Sequence, residues 1–171
     1  MSARLLLLLL SLMMGSASVQ AEAVFFLVRH AEKNPEPEHD PHLSTAGKAR
    51  AETLAALLED AGIGRIFSSD YSRTRETAAP LANRLGLEIE PYDPRRLEPF
   101  AEELLEMQGR VLVVGHSNTT PQLVRLLGGD AGPPIDEKTE YDRIYVIVVD
   151  RDTTGIMLRY GHAAQHLETV K

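Results

Sequence analysis

There is no cysteine in this chain of 171 residues. That absence excludes a disulfide framework, a thiolate metal site and a cysteine nucleophile, so stability has to come from packing and any covalent chemistry from another side chain. Beyond the N-terminal stretch there is no second long apolar run to stop transfer through a bilayer, and neither a linker nor an internal repeat divides the chain. Basic residues are outnumbered as well: 18 Lys and Arg stand against 25 Asp and Glu, a formal charge of −7. Such a balance disfavours a nucleic-acid backbone as the partner.

The one long apolar run belongs to a targeting pattern. Residues 1–21 combine a basic Arg4, an apolar core over residues 5–14 and small residues around Val19, Gln20 and Ala21, which reads as a cleaved secretory signal. The apolar core is short for a membrane span. The expectation is therefore a signal peptide over residues 1–21 and one domain over residues 22–171, acting in the periplasm or outside the cell with no membrane attachment once the signal is gone. Without Arg4 the remainder carries 17 basic and 25 acidic side chains, a formal charge of −8. About 150 residues suffice for one ordinary domain with a substantial core.

Short Val- and Phe-rich runs alternate with helical spacing along that domain. Residues 23–28, Ala-Val-Phe-Phe-Leu-Val, read as a buried strand that delivers Arg29-His30, and residues 111–114 deliver Gly115-His116 in the same way. Between them the pattern predicts a helix over residues 46–61 with Ser44 as its cap, and a strand over 63–67. The turn Ser68-Ser69-Asp70 should cap a second helix over 71–85, bent at Pro80. A strand over 87–91, a helix over 97–107 and a strand over 110–114 follow. After these come a helix over 120–127 and a hairpin of residues 143–149 and 155–160. The fold this implies is α/β: a three-layer α/β/α sandwich with a mostly parallel central sheet and an antiparallel edge. In such sheets ligands bind beyond the carboxyl ends of the strands, so two far-separated strand-end histidines can share one crevice. The Pro-broken polar loop over residues 32–41 is long enough to form a pocket wall, and the polar loop over residues 130–140 is a second candidate.

The residue types at those strand ends suit phosphoryl chemistry. A neutral imidazole nitrogen can attack phosphorus, and a guanidinium offers a fork of donors to phosphoryl oxygens. Arg29 stands beside His30. Arg73 falls on the first turn of the second helix, where the dipole and free N–H groups also favour an anion, although Arg75 competes by spacing. His116 is a further donor if a bound phosphate holds it protonated.

Three blocks together resemble one family: Leu27-Val28-Arg29-His30-Ala31-Glu32-Lys33, Phe67-Ser68-Ser69-Asp70-Tyr71-Ser72-Arg73-Thr74-Arg75-Glu76-Thr77-Ala78, and Val113-Val114-Gly115-His116-Ser117. In this order they are similar to the histidine phosphatase, or phosphoglycerate mutase-like, superfamily, as is Leu43-Ser44-Thr45-Ala46-Gly47. The resemblance implies that His30 takes up the phosphoryl group as phosphohistidine, with Arg29, Arg73 and His116 holding its oxygens. It implies no metal or other cofactor, and a small phosphorylated substrate. It also implies a carboxyl group that protonates the leaving oxygen, for which Asp93 at the end of the third strand is the first choice and Glu98 and Glu32 are rivals. A phosphorylated histidine on a protein is an alternative substrate, because a good leaving group needs less help.

Other readings compete. Gly115-His116-Ser117-Asn118-Thr119 resembles the nucleophile elbow of α/β-hydrolases, with Asp136 or Asp150 and His162 to complete a serine esterase triad, although Thr119 stands where that motif has glycine. A phosphate-binding protein without turnover would need the arginines but not His30. His39, Asp40 and His42, or His162 and His166, have metal-ligand side chains without an evident third partner. Oligomeric state is left open.

Overall fold

The computed structural model describes residues 23–35, 39–150 and 153–161. The expected signal over residues 1–21 and the readings placed on His162 and His166 lie outside them. Among the described residues ten elements follow one another: β1 (Ala23–Arg29), α1 (Thr45–Leu58), β2 (Ile63–Ser69), α2 (Ser72–Leu85), β3 (Ile89–Tyr92), α3 (Leu97–Leu105), β4 (Gly109–Gly115), α4 (Thr119–Leu126), β5 (Arg143–Val149) and β6 (Thr153–Arg159). They build one six-stranded sheet in the order β3-β2-β4-β1-β5-β6. The four strands β3, β2, β4 and β1 run parallel, while β5 pairs antiparallel with β1 and β6 antiparallel with β5. The expected α/β architecture with an antiparallel edge is what forms.

Strand alternation sorts the core into two halves. Phe25 and Leu27 of β1 join Val111 and Val113 of β4 on one face, packed on Phe100 and Leu104 of α3 and Leu123 and Val124 of α4. Val28, Leu112 and Val114 point the other way, onto Leu54 and Leu58 of α1 and Ala78 and Leu81 of α2. Successive side chains of a strand take opposite faces, so a near-continuous apolar run is what a sheet covered on both faces requires. Burial of this kind contributes about 25 cal/mol per Å² of apolar surface and, with no disulfide available, carries the stability.

Several boundaries move, each for a local reason. The serines read as a turn, Ser68 and Ser69, belong to β2: both are fully buried, and Ser69 pairs with Tyr92 of β3. Their hydroxyls find partners in the Ser69 carbonyl at 2.9 Å and Thr74 Oγ1 at 3.1 Å, which makes a polar strand end tolerable inside the fold. Asp70 does not cap α2. Its carboxylate pairs with Arg75, and the cap is supplied from the polar loop by Asp40, whose carboxylate accepts from Ser72 N at 2.9 Å and Ser72 Oγ at 2.8 Å. Ser44 caps α1 as expected, accepting from Gly47 N at 3.1 Å.

Gly47 is fixed by contact rather than by turn geometry: a Cβ there would lie 2.0 Å from the Glu32 carbonyl oxygen. The same carbonyl accepts from Ser44 N at 2.9 Å. The first turn of α1 is thereby clamped to the segment that follows His30.

Candidate active site

β1 and β4 are neighbours, and their register pairs Arg29 with Gly115. The chain leaves both strands at the same level: His30 N donates to the Gly115 carbonyl at 2.9 Å. His30 and His116 thus emerge side by side, with ring centroids 5.6 Å apart. Gly115 must be small for this, because a Cβ would approach Thr120 Oγ1 and Tyr92 Oη to 2.8 Å.

The His30 imidazole is oriented by its own backbone. Nδ1 lies 2.8 Å from the Ala31 carbonyl, an acceptor, so Nδ1 carries the proton and Nε2 keeps its lone pair. The ring is buried, and burial together with Arg29, Arg73 and His116 pushes its pKa down to about 3. The ring is therefore neutral through the ordinary pH range, with its lone pair on Nε2. On His116, Nε2 lies 2.9 Å from Ser69 Oγ, whose own proton goes to Thr74 Oγ1, so Nε2 donates and Nδ1 accepts from Arg73 at 3.4 Å. Burial, then Arg73 and Arg29, bring the His116 pKa down to about 4.

Arg73 reaches this pair from the first turn of α2, half covered by the Tyr71 ring 4.5 Å from its Cζ. Its other edge meets Asp40 at 3.3 Å. Burial opposes ionisation of Asp40, but the Ser72 hydrogen bonds and Arg73 outweigh it and hold the carboxyl below its usual range. One carboxylate therefore both caps the helix and sets the guanidinium that the helix presents. Arg75 is turned away and paired with Asp70.

His30, Arg73 and His116 line a cavity of about 480 Å³ together with Lys33, Tyr71, Arg95, Ser117 and Glu137. The site expected from sequence is brought together in these three side chains. Arg29 behaves differently: it is not among the residues lining this cavity, and its fork donates to the Glu137 and Glu140 carbonyls at 2.8 Å and the Asp136 carbonyl at 3.3 Å, while its charge still acts on both histidines. It is 2% exposed and stacks at 4.1 Å on Tyr141. Arg29 thus organises the 136–140 loop that walls the cavity, and its burial lowers its pKa.

The expected carboxylates do not line this cavity. Asp93 turns back on Arg95, accepting from its N at 3.0 Å, and faces a neighbouring groove with Tyr92 and Phe100. An Asp before Pro folds onto the backbone two residues on, and here that preference wins. Glu32 is held by Arg50 at 2.7 Å, in a clamp that also ties Arg50 to the Tyr160 carbonyl. Glu98 sits exposed in the first turn of α3.

The rival constellations separate. Ser117 lines the cavity, but the Asp136 carboxylate accepts from Lys138 N at 2.8 Å. Asp150 sits by Ala23, at the start of β1 and the opposite end of the sheet. No group of three or more His, Cys, Asp or Glu among the described residues is placed to hold a metal ion. Asp40 is engaged at the start of α2, and His42 is paired with Glu76.

Lys33, Tyr71, Arg95 and Glu137 as cavity residues, and Asp40 as the helix cap, are not among the residues that the sequence singles out. Lys33 and Tyr71 lie within blocks that carry the family resemblance. Asp40, Arg95 and Glu137 sit in polar loops whose path no periodicity predicts.

The histidine phosphatase superfamily (branch 1) matches residues 25–95, which hold β1 through the start of the segment after β3. The probable phosphoglycerate mutase GpmB of Escherichia fergusonii is 37% identical over 79 residues, 43% of this chain and 36% of that protein. That of Yersinia enterocolitica is 34% identical over 79 residues, with the same coverage of 43% and 36%. The match spans about a third of the length of these curated relatives. Among solved structures, the protein histidine phosphatase SixA complexed with tungstate superposes with a TM-score of 0.64 at 20% identity, covering 80% of this chain and 96% of that one. A mycobacterial glucosyl-3-phosphoglycerate phosphatase does so with a TM-score of 0.61 at 16% identity, covering 81% and 98%. At these identities the likeness is one of fold.

Proposed function

We propose that this chain is a member of the histidine phosphatase superfamily that hydrolyses phosphomonoesters through a phosphohistidine on His30, without a metal. The observation that carries the reading is the tautomer of His30: its Nδ1 is committed to the Ala31 carbonyl at 2.8 Å, which leaves Nε2 free beside His116 and Arg73. In the first half-reaction Nε2 bonds to phosphorus as the bond to the leaving oxygen breaks. In the second, water adds to phosphorus, the N–P bond breaks and its electron pair returns to Nε2. Arg73 and a His116 that takes up the proton of the bound monoanion would stabilise the charge on the phosphoryl oxygens. Arg29 supports the wall of the site from behind.

Hydrolase is preferred to mutase because the connection from β3 to α3 is short and supplies no elaborate lid, so water reaches the cavity. Export, expected from residues 1–21, belongs to the same proposal and would place the substrate outside the cytoplasm. A phosphorylated histidine on another protein is a second reading. It is favoured by the poverty of carboxylates in the cavity, where Glu137 stands alone among the described lining residues, because such a leaving group asks for less acid catalysis.

The test is phosphate release from a panel of phosphomonoesters and phosphohistidine by the wild type, His30→Ala and Ser117→Ala. Turnover that disappears in His30→Ala is the expected result. Loss confined to Ser117→Ala would favour the esterase, and tight binding of phosphorylated ligands without any turnover would favour a binding protein.

A further inference from the structure

Resting on the phosphatase reading, we infer that Glu137, in the loop between α4 and β5, is the carboxyl group that serves the leaving oxygen and the attacking water. Three observations converge on it.

Position comes first. Glu137 lines the same cavity as His30, Arg73 and His116, and among the described lining residues it is the one carboxylic acid. Availability comes second. The other acids near the site are already engaged, Glu32 by Arg50, Asp40 by Ser72 and Arg73, Asp93 by Arg95, and Glu140 by Arg143 and Arg159. Glu137 makes no ion pair among the described residues, as a group that must give and take a proton requires.

Placement comes third, and it explains the strand-end arginine. Arg29 is fully enclosed, and NH2 donates to the Glu137 carbonyl at 2.8 Å while NH1 donates to that of Glu140 at 2.8 Å. Tyr141 Oη adds a 3.2 Å bond to the Glu137 carbonyl, and the Tyr141 ring lies between Arg29, at 4.1 Å, and His30, at 6.2 Å. The backbone of the loop is therefore tied to the residue next to the nucleophile. Any motion of β1's end carries His30 and Glu137 together, which is the kind of support a proton-transfer group needs.

The proton balance closes without another reactant. As His30 Nε2 bonds to phosphorus, the leaving oxygen takes the proton of the Glu137 carboxyl group. As water then attacks the phosphohistidine, its proton passes to the Glu137 carboxylate, the N–P bond breaks, and phosphate departs with both residues restored.

The experiment compares two substrates of unequal leaving-group quality, para-nitrophenyl phosphate and glycerol 3-phosphate, on the wild type, Glu137→Gln, Glu137→Asp and Asp93→Asn. Glu137→Gln should lose on the order of 100-fold more rate with the alkyl than with the aryl ester, and Glu137→Asp should recover part of it. Equal losses on both substrates would mean that Glu137 only shapes the loop, and would overturn the inference. So would a leaving-group dependence that appears in Asp93→Asn instead. A wild type that forms no phosphohistidine and hydrolyses neither ester would overturn the phosphatase reading and this inference together.

Discussion

At the scale of single residues, His30 and His116 are legible because each ends a Val-rich run and strands in a covered sheet present their carboxyl ends to ligands. The direction of the side chains is not. The family resemblance makes Arg29 a holder of the phosphoryl group. The alternation that keeps Phe25 and Leu27 on one face puts Arg29 there too, and its fork closes on the carbonyls of Asp136, Glu137 and Glu140. Asp93 shows the same limit, since the choice between site and local turn depends on where the backbone points. The low pKa values of His30 and His116, about 3 and about 4, lead to a prediction. Between them and pH 6 both rings are neutral in the free protein, and under the proposed mechanism the proton that His116 takes up arrives with a monoanionic phosphomonoester, whose second ionisation is near pH 6. Because the proposed mechanism also needs a protonated carboxyl on Glu137, a profile of kcat/KM against pH should be highest in acid and decline towards neutrality, by at least about tenfold per unit above pH 6. A rate that climbs through pH 7 would show that His116 is not protonated in the reacting complex.

At the scale of elements, types and order are legible from periodicity, and ends are not. β2 runs on through Ser68 and Ser69 because buried hydroxyls can satisfy one another, and α2 takes its cap from Asp40, a residue 32 positions upstream of Ser72. No local pattern announces a cap of that kind. Gly47 is the element-level contact most exposed to test. Its α-carbon lies against the Glu32 carbonyl, and Ser44, Glu32 and Arg50 fasten α1 to the chain beyond His30. Gly47→Ala should destabilise the protein by about 1–3 kcal/mol, as overpacking does, and also lower kcat by displacing the His30 segment. Chemical denaturation with parallel kinetics measures both. An unchanged midpoint would show that the clamp is not tight.

At the scale of the whole molecule, three layers and a parallel sheet with an antiparallel edge are expected from sequence and present in the structure, because a sheet apolar on both faces has to be covered on both. Strand order is not readable, yet it makes the site: β4 inserts between β2 and β1, so the residues after two strands distant in sequence become neighbours. Keeping two imidazoles neutral inside the fold has a cost in acid. Both rings have folded pKa values below the unfolded value of about 6.5, so below that pH the unfolded chain binds protons that the native chain refuses. Stability should therefore fall, by on the order of a few kcal/mol, as pH drops from about 6.5 towards 3, and His30→Gln should flatten part of that slope. Thermal unfolding across this range is the check, and a stability that rises with acid would contradict the assignment of neutral histidines.

If one imidazole, held by the Ala31 carbonyl, receives the phosphoryl group, the covalent intermediate can be caught on it. The most direct measurement is peptide mapping by mass spectrometry, under alkaline conditions, of protein quenched during turnover of a phosphomonoester. A phosphoryl group on the peptide containing His30, absent from His30→Ala, is the predicted result. Turnover with the phosphoryl group on Ser117 or on His116 would contradict it.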